Sequence, residues 1–266
     1  MAAGGLAKGL ELLFERPGLP VFDLSESLRS AYGGPFGLRE DCVYANFVAS
    51  IDGVVALRTE EESGHIISGG SEADRFVMGL LRACADAVLL GAGTFRKAAG
   101  HLWHAEAIYP PAASQFAEFR RRLGLRRQPP LVVVSATGEI DAAQPALRDA
   151  IVVTTAAGEA RLKGRVPPTT RFVSGPIRLA SVLELLRAEG HRRILTEGGP
   201  TLASELAAEG LLNELFLTRS PMLFGRFSGD GRKGLVEGVD LAGRMADLVG
   251  VRRQGSYLFL RYCVQP

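Results

Sequence analysis

Five short segments set the architecture of this chain: AVLLG (87–91), LVVVS (131–135), AIVVTT (150–155), RFVSG (171–175) and RRILT (192–196). Several are apolar without the in–out alternation of a half-exposed strand, the pattern expected when helices cover both faces of a sheet. Helical stretches stand between and beside them. SEADRFVMGLLRACA (71–85) opens on Ser71 as a cap, places Asp74 near the positive helix end, and puts Phe76, Val77, Leu80, Leu81 and Cys84 on one face. LASVLELLRAEG (179–190) and TLASELAAEG (201–210) read as further helices. Strands alternating with helices imply a mostly parallel sheet.

Other strands are expected at VYANFVA (43–49), VVAL (54–57), NELFLTRS (213–220) and QGSYLFLRYCV (254–264), the last adding antiparallel strands at an edge. TEEESGHIISGG (59–70), polar and glycine-rich, reads as a loop. Residues 1–40, weakly periodic and rich in Gly and Pro, read as an arm with little regular structure, leaving 41–266 as a single domain.

Composition narrows the function classes. The chain has 266 residues and a formal net charge of +2, so neither nucleic acid nor an acidic membrane surface is indicated as partner. The basic run Arg120, Arg121, Arg122, Arg126 and Arg127 reads as a solvated helix face. Three scattered cysteines form no CxxC pair, and no apolar stretch reaches spanning length. The expectation is a cytoplasmic, non-membrane protein.

Two strand ends share one arrangement. AVLLGAGTF (87–95) and RILTEGGPTL (193–202) each run strand, glycines, threonine, helix, and the second carries Glu197. Ligands of open α/β sheets collect at carboxyl strand ends, where helix N-termini present free N–H groups. Gly91, Gly93, Gly198 and Gly199 would let backbone approach a phosphate, and Thr94 and Thr201 would add hydroxyls. On residues alone, the pair reads either as ordinary connections or as an anion cradle. A GxGxxG fingerprint fails because Arg96 occupies the third glycine position, and no GxxxxGK[ST] occurs. His104-Ala105-Glu106 matches the HxE of zinc deaminases, but the PCxxC partner is absent; with His101 and Trp103 it reads as an exposed or substrate-edge loop.

NFVASIDG (46–53), HIISGGSEADRFVMGLLRACADAVLLGAGTFR (65–96) and ILTEGGPTLASELAAEGLLNELFLTRSPMLFG (194–225) together resemble the riboflavin-biosynthesis pyrimidine reductases over about residues 43–225. The resemblance implies a dihydrofolate-reductase-like α/β fold, with a central mostly parallel sheet flanked by helices and antiparallel C-terminal edge strands, in a homodimer. It implies NADPH-dependent reduction of the ribosylamino side chain of 5-amino-6-(5-phosphoribosylamino)uracil to the ribitylamino form. By position, Thr94, Gly198, Gly199, Thr201 and Leu202 would hold the cofactor phosphates beside Gly91 and Gly93, and Ser135 would lie near the adenosine ribose and its 2′-phosphate. Glu197 would hydrogen-bond the substrate, and Arg82 would contact it, plausibly at its phosphate. Ser50 and Asp52 would shape the turn near the nicotinamide, Asp52 reading equally as a turn-former or a catalytic group.

Three departures fall on the substrate side. Asn46 stands where the family often has a lysine, and Ala98 at the first acidic position of its DDPxLxxR run; by helix register, Ser68 takes the place of a tryptophan. His65, His101 and His104 are the candidates to replace the missing groups. Two other readings therefore stay open: a reductase of a related heterocycle such as a pterin or dihydrofolate, and a nucleotide-binding protein without turnover.

Overall fold

The computed structural model describes residues 8–58, 63–98, 100–175, 177–227 and 229–265. Ten strands join in one sheet: β1 (Glu11–Glu15), β2 (Cys42–Ala49), β3 (Ala87–Gly91), β4 (Leu131–Ser135), β5 (Ile151–Thr154), β6 (Arg171–Ser174), β7 (Arg193–Thr196), β8 (Glu214–Arg219), β9 (Ala246–Gln254) and β10 (Tyr257–Val264). Their order across the sheet is β1-β9-β10-β8-β2-β7-β3-β4-β5-β6. From β8 to β6 every pairing is parallel, while β10, β9 and β1 add on antiparallel. The α/β expectation with antiparallel C-terminal strands stands.

Among the described residues the helices are α1 (Glu26–Tyr32), α2 (Ser63–Ile67), α3 (Glu72–Cys84), α4 (Ala92–Lys97), α5 (Ala105–Ile108), α6 (Ala113–Arg122), α7 (Ala156–Leu162), α8 (Leu179–Ala188) and α9 (Pro200–Ala208). None is long and apolar enough to cross a membrane. Alternate strand residues serve opposite layers. Tyr44, Val88, Leu90 and Val133 pack with Phe76 and Leu80 of α3 and Phe116 of α6. Val43, Leu89, Val132 and Ile194 pack under Leu183 and Leu186 of α8 and Leu206 of α9. This two-sided burial is why the central strands are mostly apolar on both faces.

Four local expectations need correction. Residues 8–40 are no irregular arm: β1 closes the sheet edge against β9, and α1 buries Leu28, Ala31 and Tyr32 in the core. Ser25 caps α1, and Gly33 ends it at φ 75°, where an added Cβ would strike the Leu10 carbonyl oxygen at 2.0 Å. With β1 and α1 each so short, the periodicity is too brief to read. The 54–57 segment is held by a single bridge, Ala56 to Lys233, rather than as a strand. Residues 63–67 form α2 within the expected 59–70 loop, whose residues 59–62 lie outside the described set.

The fourth correction concerns Arg120, which is 2% exposed instead of solvated. Its guanidinium donates to the carbonyls of Arg82, Ala83 and Ala85 at the end of α3, and to those of Arg126 and Arg127. Helix ends leave carbonyls without intrahelical partners, and one guanidinium meets several here. Arg121 and Arg122 do face outward, paired with Glu118. Replacing Arg120 by Met keeps its bulk but removes every donor. We expect Arg120→Met to lose roughly 2–4 kcal/mol in denaturant unfolding, because several buried carbonyls go unpaired; a loss below about 0.5 kcal/mol would contradict this capping role.

Candidate active site

The carboxyl ends of β2, β3, β4 and β7 converge between α3 and α9, where β7 lies between β2 and β3. A cavity of about 570 Å³ opens there, the place where doubly wound sheets collect ligands. Both glycine turns reach it, and they touch: the Gly199 amide donates to the Thr94 hydroxyl at 2.6 Å. Neighbouring strands β3 and β7 make this contact possible.

The four glycines differ in what they do. Gly91, Gly93 and Gly199 line the cavity. At Gly93 an added Cβ would meet nothing within 4 Å, and at Gly199 only the Thr94 hydroxyl, at 3.1 Å. Gly198 does not line it; its Cβ would stand 2.7 Å from Leu202 and 3.0 Å from the Gly91 nitrogen, so glycine there serves the packing of the two turns. Gly199 caps α9, with Pro200 at its first position. Thr201 and Leu202 follow on the cavity wall, where the Lys233 ammonium donates to the Thr201 hydroxyl at 3.4 Å.

The floor is an ion pair. Arg82 lies 2.6 Å from Glu197, with side chains 1% and 7% exposed. Its Nε donates to both carboxylate oxygens, and Nη2 to Oε2 and to the Nε2 of His101. Nη1 takes the carbonyls of Leu102 and His104. A guanidinium has five N–H donors, and all are engaged inside the protein. Arg82 is thus neither a surface residue nor, in this arrangement, free to grip a phosphate. Burial, then the Arg82 charge, push the His101 imidazole down to about 4, keeping it neutral. His104 caps α5, and His65 lines the cavity from α2.

Asn46 on β2 lines the cavity as expected, and Ala98 and Ser68 also border it. Ser50 and Asp52 do not. The Ser50 hydroxyl donates to Asp52 at 2.6 Å and accepts from the Val54 amide, while the Asp52 carboxylate accepts the amides of Phe224 and Gly225. The Ser50 hydroxyl first, and those amides, hold the Asp52 carboxyl down to about 2. Its observed work is to tie the SIDG turn to the PMLFG loop. Ser135 is buried at the end of β4, its hydroxyl without a partner, and the neighbouring Val134 supplies the cavity wall instead.

Several lining residues escaped the sequence reading. Lys233 arrives through its bridge to Ala56, a contact no motif announces. Lys97 ends α4 and donates to the Leu57 carbonyl. Trp103, expected in an exposed or substrate-edge loop, does border the cavity but is buried there, stacked on Phe95 and against His101. Arg75 lies two helical turns before Arg82, with its Nε buried and unpartnered among the described residues. Asp74, legible only as a helix-start acid, is 4% exposed and faces the cavity. Burial drives its carboxyl up to about 6, assisted by the nearby Glu197 and opposed by a Thr218 hydroxyl bond and by Arg75.

The family pattern described as the RibD C-terminal domain matches residues 41–257. A 2,5-diamino-6-ribosylamino-4(3H)-pyrimidinone 5′-phosphate reductase of Archaeoglobus fulgidus is 28% identical over 189 residues, covering 69% of this chain and 81% of the relative. A pyrimidine reductase-like protein of Corynebacterium diphtheriae shares the fold with TM-score 0.69 at 21% identity, over 85% of this chain and 93% of that one. The diaminohydroxyphosphoribosylaminopyrimidine deaminase/5-amino-6-(5-phosphoribosylamino)uracil reductase of Thermotoga maritima gives 0.61 at 19% identity, over 85% and 57%.

The Asp74 environment has a measurable signature. Its folded-state value lies above the ordinary 3.8, so the folded chain holds this proton more tightly than the unfolded one. The associated stability is complete below that ordinary value and is lost as pH rises through about 6. Asn carries no charge at any of these pH values. Relative to the native chain, Asp74→Asn should therefore gain roughly 1–3 kcal/mol between pH 4 and pH 8 in thermal or denaturant unfolding. A difference independent of pH would refute the raised value.

Proposed function

The chain belongs to the RibD C-terminal domain family of pyrimidine reductases, and from that premise we propose that it is an NADPH-dependent reductase of the riboflavin pathway. Its substrate is 5-amino-6-(5-phosphoribosylamino)uracil, whose ribosyl side chain it reduces to ribityl. The observation carrying this reading is that one cavity has two touching glycine turns on its wall and the Arg82–Glu197 pair on its floor.

The residues fit a dinucleotide. The space over Gly93 is open where a side chain would fill it. The N-terminus of α9 offers the amides of Thr201 and Leu202 to phosphate, and Lys97 and Lys233 stand nearby with ammonium groups. Thr94, Gly91 and Gly199 complete that wall, and the adenosine would lie against Val134, beside the buried Ser135. When bound, the reduced nicotinamide supplies a hydride. The chain orients the pyrimidine for it: the Glu197 carboxylate accepts ring N–H groups while Arg82 fixes that carboxylate, and Asn46 offers an amide. With Arg82 saturated, Arg75 is the guanidinium left for the substrate phosphate. Asp52 and Ser50 act indirectly, by fixing the loop beside the cavity.

In this reading residues 41–266 form the reductase domain, 8–40 reinforce the sheet edge, and the protein works as a cytoplasmic homodimer. The Archaeoglobus relative carries the 2-amino pyrimidinone in its name; that compound differs from the uracil at a single ring position, so both belong in the assay.

Titration with NADPH and NADH, followed by nicotinamide fluorescence, tests the cofactor wall; substrate-dependent NADPH oxidation with both pyrimidines and with dihydrofolate tests the rest. Gly93→Val is the informative variant, because a Cβ placed there meets nothing within 4 Å. It should keep the native melting temperature and weaken NADPH on the order of 100-fold, about 2.7 kcal/mol. Unchanged affinity would return the turn to a plain connection. Glu197→Gln should weaken the pyrimidine far more than NADPH; equal losses would remove Glu197 from the substrate side.

A further inference from the structure

Three carboxylates line the cavity, and their surroundings set them apart. Glu205 on α9 is exposed to solvent. Glu197 accepts three bonds from Arg82. Asp74 is 4% exposed, lies near Thr218 of β8, and is held in no salt bridge among the described residues. A carboxyl that is buried, faces the cavity and lacks a cationic clamp is suited to carry a proton.

Reduction of a ribosylamine needs such a group. Hydride delivered to a carbon doubly bonded to nitrogen leaves an electron pair on the nitrogen, and a proton must meet it. The other lining groups serve this poorly. The Asn46 amide does not donate a transferable proton, and every donor of Arg82 is occupied. His65, Lys97 and Lys233 stand at the exposed mouth.

We infer that Asp74 is the acid that protonates the substrate as it is reduced, a role that rests on reading this cavity as the pyrimidine reductase site. With the hydride and its electron pair delivered at C1′ of the ring-opened ribosyl imine, the C=N π pair moves to nitrogen. The Asp74 O–H bond breaks and an N–H bond forms. The products are the secondary amine and the Asp74 carboxylate, which regains its proton from water once the product has left.

The charges around Asp74 support the protonated form. Glu197 at the end of β7 opposes ionisation, and burial opposes it more, leaving the carboxyl at about 6. Arg75, next on α3, acts the other way, as does the Thr218 hydroxyl. From β2 comes the neutral Asn46, and behind it and Thr218 stand Arg252 of β9 and Arg261 of β10, paired with Glu15 and Glu214. On the far side of α3, Glu106 of α5 is bound by Gln128, and Arg120 of α6 by backbone carbonyls. Pyrimidine and phosphate bound alongside would exclude water and strengthen the preference.

The test compares the native enzyme with Asp74→Asn and Asp74→Glu. Turnover is measured from pH 5 to 9 at saturating NADPH and pyrimidine, NADPH affinity by fluorescence, and the carboxyl directly by carbon-13 resonance of labelled aspartate. The native kcat should fall about tenfold per pH unit above its acid limb. Asp74→Asn should lose on the order of 100-fold or more in kcat, lack that limb, and bind NADPH within about twofold of native. Asp74→Glu should retain the limb at reduced rate. A native resonance titrating near 6 and missing in Asp74→Asn should identify the group. Asp74→Asn turning over within a few-fold of native, with the same limb, overturns the proposal while leaving the reductase reading intact, as does the absence of that resonance. A native enzyme that binds NADPH but turns over neither pyrimidine overturns the reductase reading itself, and the acid role with it.

Discussion

A guanidinium and a carboxylate taken out of water together organise this molecule. Arg82 sits near the end of α3 and Glu197 just past β7, far apart in sequence, and each would be expensive to bury alone. Together they leave one good solution: α3 lies over the sheet at a single register, and β7 ends where its carboxylate meets the fork. Such a pair contributes little net stability compared with apolar residues of the same size, because desolvation offsets most of the attraction. Its effect is to penalise alternatives, since any shift of helix against strand strands a charge in the interior. Arg120 extends the constraint by holding the Arg82 carbonyl along with two others. The residue is thus gripped by its backbone and its side chain at once.

This explains why the fold was more legible than the site. Strands such as AVLLG and LVVVS reveal themselves through local composition, because each position faces one of two apolar layers. The helix 71–85 shows its start in Ser71 and its face in Phe76, Val77, Leu80 and Leu81. Contacts that assemble the site span more than a hundred residues, as Thr94 to Gly199 and Arg82 to Glu197 do, and no local pattern encodes them. The similarity of the two glycine turns was visible; that they touch follows from β7 inserting between β2 and β3. Asp74 shows the limit from the other side. Ser71 and Asp74 have the spacing of an exposed helix start, and only the packing of α3 onto the sheet buries that acid against the cavity. Residues 8–40 were misread for a related reason, since short elements depend on tertiary partners such as β9 rather than on their own periodicity.

The glycine turns also show that one residue type in one motif can answer to different constraints. Gly198 is required by backbone packed against backbone, whereas Gly93 leaves room that nothing in the protein uses. Asp52 makes the complementary point. A conspicuous acid beside a glycine turn looks catalytic in sequence, yet its oxygens are committed to Ser50, Phe224 and Gly225, and its low pKa reflects those bonds.

The departures from the family on the substrate side then fit a coherent electrostatic layout. The basic groups Lys97 and Lys233 lie at the exposed mouth, where hydrated ammonium ions cost little and can meet phosphate. The acids Glu197 and Asp74 lie at the buried end, the first paired with a guanidinium and the second with its carboxyl raised to about 6. Two unpaired anions could not share that floor, because each would raise the cost of the other in a medium that screens poorly. A lysine in place of Asn46 would change this balance directly, since a cation beside Asp74 would favour its ionised form. The amide on β2 therefore leaves the carboxyl on α3 with its raised value, which an ammonium in the same place would lower.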